Sequence, residues 1–359
     1  MAIDRLRPAL ETGVPGCLWL LRFDAQGRAE PAAAEDMERI GESADGYYWL
    51  HLDLTDQRTR GLIERLSFLT VEARAPFIEP VDHQFIEHAD NIVSGALLDH
   101  ERGLSGRLSQ TDYLRFAICR GVFVSARKRP LNIAEKTRNA LSAGARARSP
   151  LELFETLVDL MCDERAKMIR DLNLTLDGVE DRIIEGRGRD ERATLGPARR
   201  DAVRLARQIG GLGSTLQRLE QAATEPEHEE LGETAARLVQ RVDALLRDNA
   251  SIQDRARLLQ DELNAILNLE TNDRLYLLTI VTTLLLPATF VTGYFGMNTK
   301  QLPFAEHENG SFYATLLCLA ASAAVYFLMR SFGLTRRSDS EQAQRPAQKK
   351  RDAEFDGGR

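Results

Sequence analysis

Residues 275–299 read LYLLTIVTTLLLPATFVTGYFGMNT, a run with no charged position in it. A second uncharged run, SFYATLLCLAASAAVYFLM, occupies 311–329. A helix needs about 20 apolar residues to cross the hydrocarbon core of a bilayer, and no other stretch of the chain reaches that length. The sequence therefore predicts a hairpin of two membrane helices that follows a large polar domain. The first span ends in Gly296-Met297-Asn298, where the chain leaves the helix for the connection between the spans.

Composition describes the polar part rather than the hairpin: 28% of residues are charged and the formal net charge is −7. The N-terminal stretch MAIDRLRPALETGVPG lacks the apolar core of a signal peptide, so the polar domain is expected on the cytoplasmic side. After the second span come Arg330, Arg336, Arg337, Arg345, Lys349, Lys350 and Arg351, whereas the connection holds Lys300 against Glu306 and Glu308. That bias places both termini inside. The tail from Ser338 onward is polar and reads as disordered.

The four cysteines (Cys17, Cys119, Cys162, Cys318) lie far apart and form no Cys-x-x-Cys pair, which argues against a disulfide framework or zinc knot. His83 and His88 stand near Asp82, Glu87 and Asp90 in VDHQFIEHAD. That segment is either a metal site or, more simply, a solvated acidic surface.

Up to residue 125 the chain mixes short apolar runs with turn residues. Strands are expected at Cys17–Phe23, Tyr47–Leu52, Asn91–Leu98, Asp112–Cys119 and Val122–Ser125, with helices at Arg58–Leu69 and Leu131–Ala143. The segment AGARARSP at 143–150 reads as a linker or turn. From Leu151 only helical patterns remain: Leu151–Ile184, Asp201–Ala223, then one helix from about 228 to 296, roughly 100 Å long at 1.5 Å per residue. Along it, Leu231, Ala235, Leu238, Val242, Leu245, Ile252, Ala256, Leu259, Leu263 and Ile266 recur at spacings of three and four, broken only by Asn249. Such a seam buries one face against neighbouring helices. The two preceding helices are the expected partners, both antiparallel to it. The fold class is thus an α+β cytoplasmic domain with long stalk helices plus two C-terminal transmembrane helices. Its parts are 1–150 (α/β), 151–274 (stalk), 275–329 (hairpin) and 330–359 (basic tail).

One line along the first span runs Asn272, Leu275, Thr279, Thr282, Leu286, Thr289, Gly293, and threonines concentrate on it. Extended backwards it meets Asn268, Ala265, Asp261 and Leu258. Two readings are open. The stripe is either a seam of small residues where helices pack closely, or the wet side of a helix repeated around an axis, closed by cyclic symmetry. Asn272 and Asp261 falling in phase favour the second, with Asp261 as a ring of carboxylates that attracts cations. Leu275 and Leu286 then form constrictions, and Pro287 removes a helical hydrogen bond beside one of them. The line carries no thiolate or imidazole, so it suits a hard or hydrated divalent ion met by amide, hydroxyl and carbonyl oxygen.

Thr271-Asn272-Asp273, the proline and FVTG inside the span, and GYFGMN at 293–298 resemble the CorA family of divalent-cation transporters; WLHLD at 49–53 looks like that family's strand. The resemblance implies a homopentameric funnel in the cell inner membrane, with Gly296, Met297 and Asn298 as the selectivity signature. It also implies that Asn298, Asn272 and Asp261 meet the ion through its water shell, that Thr289 forms a polar ring, and that regulatory metal sites lie between subunits. No bound cofactor is implied. The ion is cargo: Zn2+ or Mg2+, with Co2+ and Ni2+ as further candidates. The connection TKQLPFAEHENG departs from the acidic one of magnesium-type members and looks more like the ZntB zinc-transporter branch. The intact Gly-Met-Asn leaves the cargo open, because the middle residue in that branch is often not Met.

The expected partners are further copies of this chain, the bilayer and divalent cations, and no nucleic acid. The expectation from another class is a membrane-tethered coiled-coil sensor or scaffold without transport. That reading explains the hairpin and the seam but not the threonine line or the triplet. An enzyme is not expected, because the sequence shows no phosphate loop, zinc-protease pattern or nucleophile–base set.

Overall fold

The structure is a computed structural model, and it describes residues 13–40, 46–101, 110–223, 228–297 and 310–331. The chain forms two compact units, Met1–Leu263 and Asn264–Arg359. The first unit takes in the helices between residues 150 and 263 together with the sheet that they cover.

The first unit is built on a seven-stranded sheet in the order β2-β1-β3-β7-β6-β5-β4. Its strands are β1 (Cys17–Phe23), β2 (Ala29–Pro31), β3 (Tyr47–Asp53), β4 (Phe85–Ala89), β5 (Ile92–His100), β6 (Thr111–Cys119) and β7 (Val122–Arg127). Among the described residues only β3 and β7 pair in parallel, and the other pairs are antiparallel. Tight connections fix the register. Asp90 and Asn91, both at positive φ, turn β4 into β5, and Gly121 at φ 77° turns β6 into β7. The first of these, with φ positive at both central residues, is a primed turn, which matches the right-handed twist of the strands it joins.

Both faces of the central strands are covered. Tyr48, Leu50 and Leu52 of β3 pack with α1 (Gln57–Arg65) and α2 (Val71–Ile78) through Leu62, Ile63, Ala73 and Phe77. The alternate residues Tyr47, Trp49 and His51 point the other way. There Trp49 meets Phe123, and Phe116 meets Phe154 of α4 (Pro150–Ile184), with α3 (Asn132–Ser142) beside it. This two-sided burial is why the YYWLHLD strand is almost continuously apolar.

Five strands stand where the sequence places them, within two residues at either end. β2 is too short to be read. β4 lies in the segment expected to be solvated acidic surface, and it is a sheet-edge strand with Ile86 buried. The helix expected over Arg58–Leu69 stops at Arg65, because Thr70 caps a separate α2 by accepting a hydrogen bond from the Ala73 N–H. Pro76 inside α2 had masked it. Helix α5 (Arg192–Ala222) starts nine residues before the expected Asp201, running through Gly196-Pro197 near its first turns.

The seam along α6 (Glu229–Phe295) is buried from Leu231 to Leu263, and Asn249 is buried with it, donating to the Ala202 carbonyl at 3.0 Å. Its partners differ from expectation in direction. Ion pairs Arg237–Glu155, Arg241–Asp163 and Arg255–Asp177 advance together along α6 and α4, so those two helices run parallel. Contacts Ala202–Asn249, Gly213–Val242 and Ala223–Gly232 advance oppositely, so α5 alone is antiparallel. A chain that reverses at each short connection must place alternate helices parallel. Half-exposed pairs of this kind add at most about 1 kcal/mol each; their use is to set register.

His51 carries a testable consequence. The ring is wholly buried, stacked on Trp19 at 4.0 Å, with Nδ1 2.7 Å from the Ser125 hydroxyl, which also accepts from the Trp49 indole. Burial, reinforced by the charges of Arg127 and Arg138, holds its pKa well below the ordinary imidazole value. The unfolded chain therefore takes up a proton that the folded chain refuses, and stability falls as pH drops below about 6.5. Between pH 7.5 and 5 the wild type should lose about 2 kcal/mol more than His51→Gln, measured by chemical unfolding at both pH values. Equal losses in the two proteins would refute the assignment.

Candidate functional site

The second unit contains the membrane part of α6 and helix α7 (Gly310–Ser331). Both helices are long and apolar enough to cross a membrane, and their apolar side chains lie open: Leu277, Leu285 and Phe290 on α6, Phe312, Leu319 and Phe327 on α7. A water-facing surface of that kind is far beyond what a soluble monomer carries.

Within this unit α7 rests on one side of α6. Ser322 donates its hydroxyl to the Leu284 carbonyl at 3.2 Å, Cys318 Sγ lies 3.9 Å from the Ala288 carbonyl, and Val291 is buried. At about 100° per residue, Leu284, Ala288 and Val291 share one face of the helix. Leu275, Thr279, Thr282, Leu286, Thr289 and Gly293 fall about half a turn away, and every one of them is exposed. The polar line is therefore not the seam between α6 and α7. Asn268 and Asn272 are exposed as well, and so is Asp261, which belongs to the first unit. Within the second unit one chain brings Asn268, Asn272 and the line from Leu275 to Gly293 into a stripe and no closer.

The threonines have a defined hydrogen-bond state. Thr279, Thr282 and Thr289 each donate to the carbonyl four residues back (Leu275, Leu278 and Leu285) at 2.8, 2.9 and 3.0 Å. A hydroxyl that has spent its proton on the backbone offers only acceptor lone pairs outward. The stripe is thus a ladder of outward-facing oxygens with Leu275 before it and Leu286 within it. Helix α6 continues through Pro287, which cannot donate to the Thr283 carbonyl.

The helix closes at Phe295, with the Gly296 N–H donating to the Thr292 carbonyl at 2.9 Å. A Cβ on Gly296 would stand 3.0 Å from that same carbonyl oxygen, a tight approach. Met297 is exposed. Asn298 lies outside the described residues, as do Lys300, Glu306, Glu308 and the basic tail from residue 332 onward.

Sequence reasoning missed the face that receives α7. Its signal was present as two small residues one turn apart in the second span, Cys318 and Ser322. Nor did it find the neighbour of His88, which it placed with His83 in a segment read as a metal site or, more simply, a solvated acidic surface. The His88 ring stands against His228, not His83, across a cleft at one end of the sheet.

The model of the CorA-like Mg2+ transporter protein family matches residues 44–331. The zinc transport protein ZntB of Photorhabdus laumondii is 24% identical over 319 residues, covering 87% of this chain and 93% of its own. The divalent cation transporter CmaX of Pseudomonas aeruginosa is 27% identical over 220 residues, 60% of this chain and 65% of its own. Among solved structures, full-length CmaX superposes with a TM-score of 0.73 at 20% identity, covering 88% of this chain and 98% of its own. The CorA magnesium transporter of Methanocaldococcus jannaschii gives 0.69 at 14% identity, covering 87% and 97%.

Proposed function

Because this chain belongs to the CorA family, whose model spans residues 44–331, we propose that it moves divalent cations, zinc foremost, across the inner membrane through a homopentameric pore. The observation that carries the pore reading is the exposed ladder of acceptor oxygens on the side of α6 turned away from α7. Copies of α6 around an axis, each with α7 behind it, turn those oxygens inward. A cation with its water shell meets Asp261 and Asn268 towards the cytoplasm, then Asn272, Thr279, Thr282, Thr289 and Gly293. Gly296, Met297 and Asn298 stand at the outer mouth. Leu275 and Leu286 narrow the path and can gate it by excluding water. The termini lie on the cytoplasmic side.

Oxygen ligands alone do not choose zinc over magnesium. The zinc assignment is supported by the zinc transport relative matched over nearly its full length; the alternative is a magnesium/cobalt channel, of which the family description supports the magnesium transport. For a divalent ion the membrane potential supplies about 4.6 kcal/mol per 100 mV. No Asp, Glu, His or Lys lies within 275–299 or 311–329, so any proton coupling uses groups outside the spans.

Proteoliposomes loaded with a metal-sensing dye test the reading with zinc, magnesium, cobalt and nickel, at imposed and collapsed proton gradients. Zinc uptake faster than magnesium uptake is expected. Magnesium flux without zinc flux assigns the alternative, and absence of flux for every ion returns the protein to a tethered sensor or scaffold.

A further inference from the structure

We propose that His88 and His228 form a binding site for a borderline transition-metal ion of the Zn2+, Co2+ or Ni2+ class, inside one subunit and apart from the ion path. Their rings stand 4.4 Å apart between centroids and perpendicular to one another, though 140 residues separate them in sequence. His88 is on the edge strand β4, and His228 immediately precedes α6. Both are half-buried on the wall of a cleft of about 480 Å³, which Glu230, Cys119, Asn91 and Ser149 also line.

Each residue is held by a separate rigid element. The β4–β5 turn at Asp90-Asn91 follows His88 by one residue. Leu231, three residues after His228, is buried at the start of the α6 seam. The pair is therefore presented by the fold rather than by two mobile loops. Neutral imidazole nitrogen is a ligand for zinc, cobalt and nickel, and a poor one for magnesium or calcium. Among the described residues no three His, Cys, Asp or Glu side chains stand together as a ready metal cage. Two imidazoles with water in the remaining positions give an open, exchanging site.

Cys119 is held apart from this role. It is buried, and burial pushes its thiol up to about 12, so it stays protonated at the cleft floor. An ion between the two rings ties the sheet edge to the first turn of α6, coupling metal availability to the head of the protein. The inference does not depend on the pore assignment, and its test separates the two.

Full-length protein in detergent, stripped of metal, is titrated with Zn2+ against a chromophoric chelator. The proteins compared are wild type, His88→Gln, His228→Gln and the path variant Asn298→Ala. Wild type and Asn298→Ala should share a zinc site that each glutamine variant weakens by about tenfold or more, and excess Mg2+ should not displace it. Unchanged zinc binding in both glutamine variants, or ready displacement by Mg2+, overturns the proposal. Should the variants fold poorly, wild type is treated with diethylpyrocarbonate and its modified peptides are mapped. Zn2+, but not Mg2+, should then protect His88 and His228 while leaving His83 reactive. Equal labelling of all three with and without zinc has the same overturning force.

Discussion

Alanine at Asn298 is expected to reduce metal uptake into proteoliposomes by about tenfold to a hundredfold without altering assembly. A hydrogen bond from an oriented amide to a charged partner contributes about 1.5–3 kcal/mol, and each 1.4 kcal/mol is a factor of ten. In a cyclic pore the loss occurs in every copy at the same level of the path, so the barrier at the mouth rises as a ring. Size-exclusion and cross-linking profiles should match the wild type, because Asn298 follows the last helical turn and Gly296 already closes the helix. Thr282→Val, which removes a hydroxyl at nearly constant volume, should have a smaller effect, since neighbouring oxygens on the ladder remain. Flux untouched by Asn298→Ala would remove the basis for reading the triplet as the mouth of the path.

Replacing Arg165 by methionine should destabilise the first unit by about 3–5 kcal/mol, the largest structural effect expected of any single substitution considered. Its guanidinium is wholly buried, donating to the Leu98 and Met161 carbonyls at 2.9 Å. Close by, Asp99 at the end of β5 accepts from the N–H groups of Ile133 and His100 at 2.8 and 2.7 Å. Helix α3 has no side-chain cap of its own, so this carboxylate from another element supplies one.

Burial pushes the Asp99 pKa up to about 6, against the pull of those N–H groups and of Arg165. A raised folded pKa means a contribution present in full below the unfolded value and lost as pH rises through about 6. Without Arg165 the folded pKa climbs further, so the deficit of Arg165→Met should be larger at pH 8 than at pH 5. Asn at position 99 should recover part of it by removing the stranded charge. Unfolding followed through the buried Trp19 and Trp49 reads these differences. A pH-independent deficit, unrelieved by Asp99→Asn, would show that Arg165 acts only through packing.

The strands of the sheet centre were legible because both their faces are buried, which leaves long apolar runs such as YYWLHLD. The edge strand β4 was not, because one open side lets Glu87 and His88 into the run and the pattern fades. Helix α2 was hidden by Pro76, whose cost within a short helix is outweighed by Ala73 and Phe77 packing on the sheet. Along α6 the spacing of apolar residues was sufficient to find the buried seam, since a helical period survives whatever packs against it; that Asn249, the break in that seam, is buried came from the structure.

The polar line on the first span followed from the sequence alone for a similar reason: residues one turn apart share a face of any helix. Which way that face turns was not in the sequence. The contacts of Ser322 and Cys318 decided it, by occupying the opposite side of α6.

Sequence by itself determined the two apolar spans, the helical stalk, the strands of the sheet interior and the residues that share each helix face, because all of these are set by neighbours within a few positions. Tertiary structure alone decided that α4 runs parallel to α6, that Asp99 caps α3 beside a buried Arg165, and that His88 meets His228. Those facts depend on segments distant along the chain finding one another, and local periodicity carries no information about which distant partner a residue will meet.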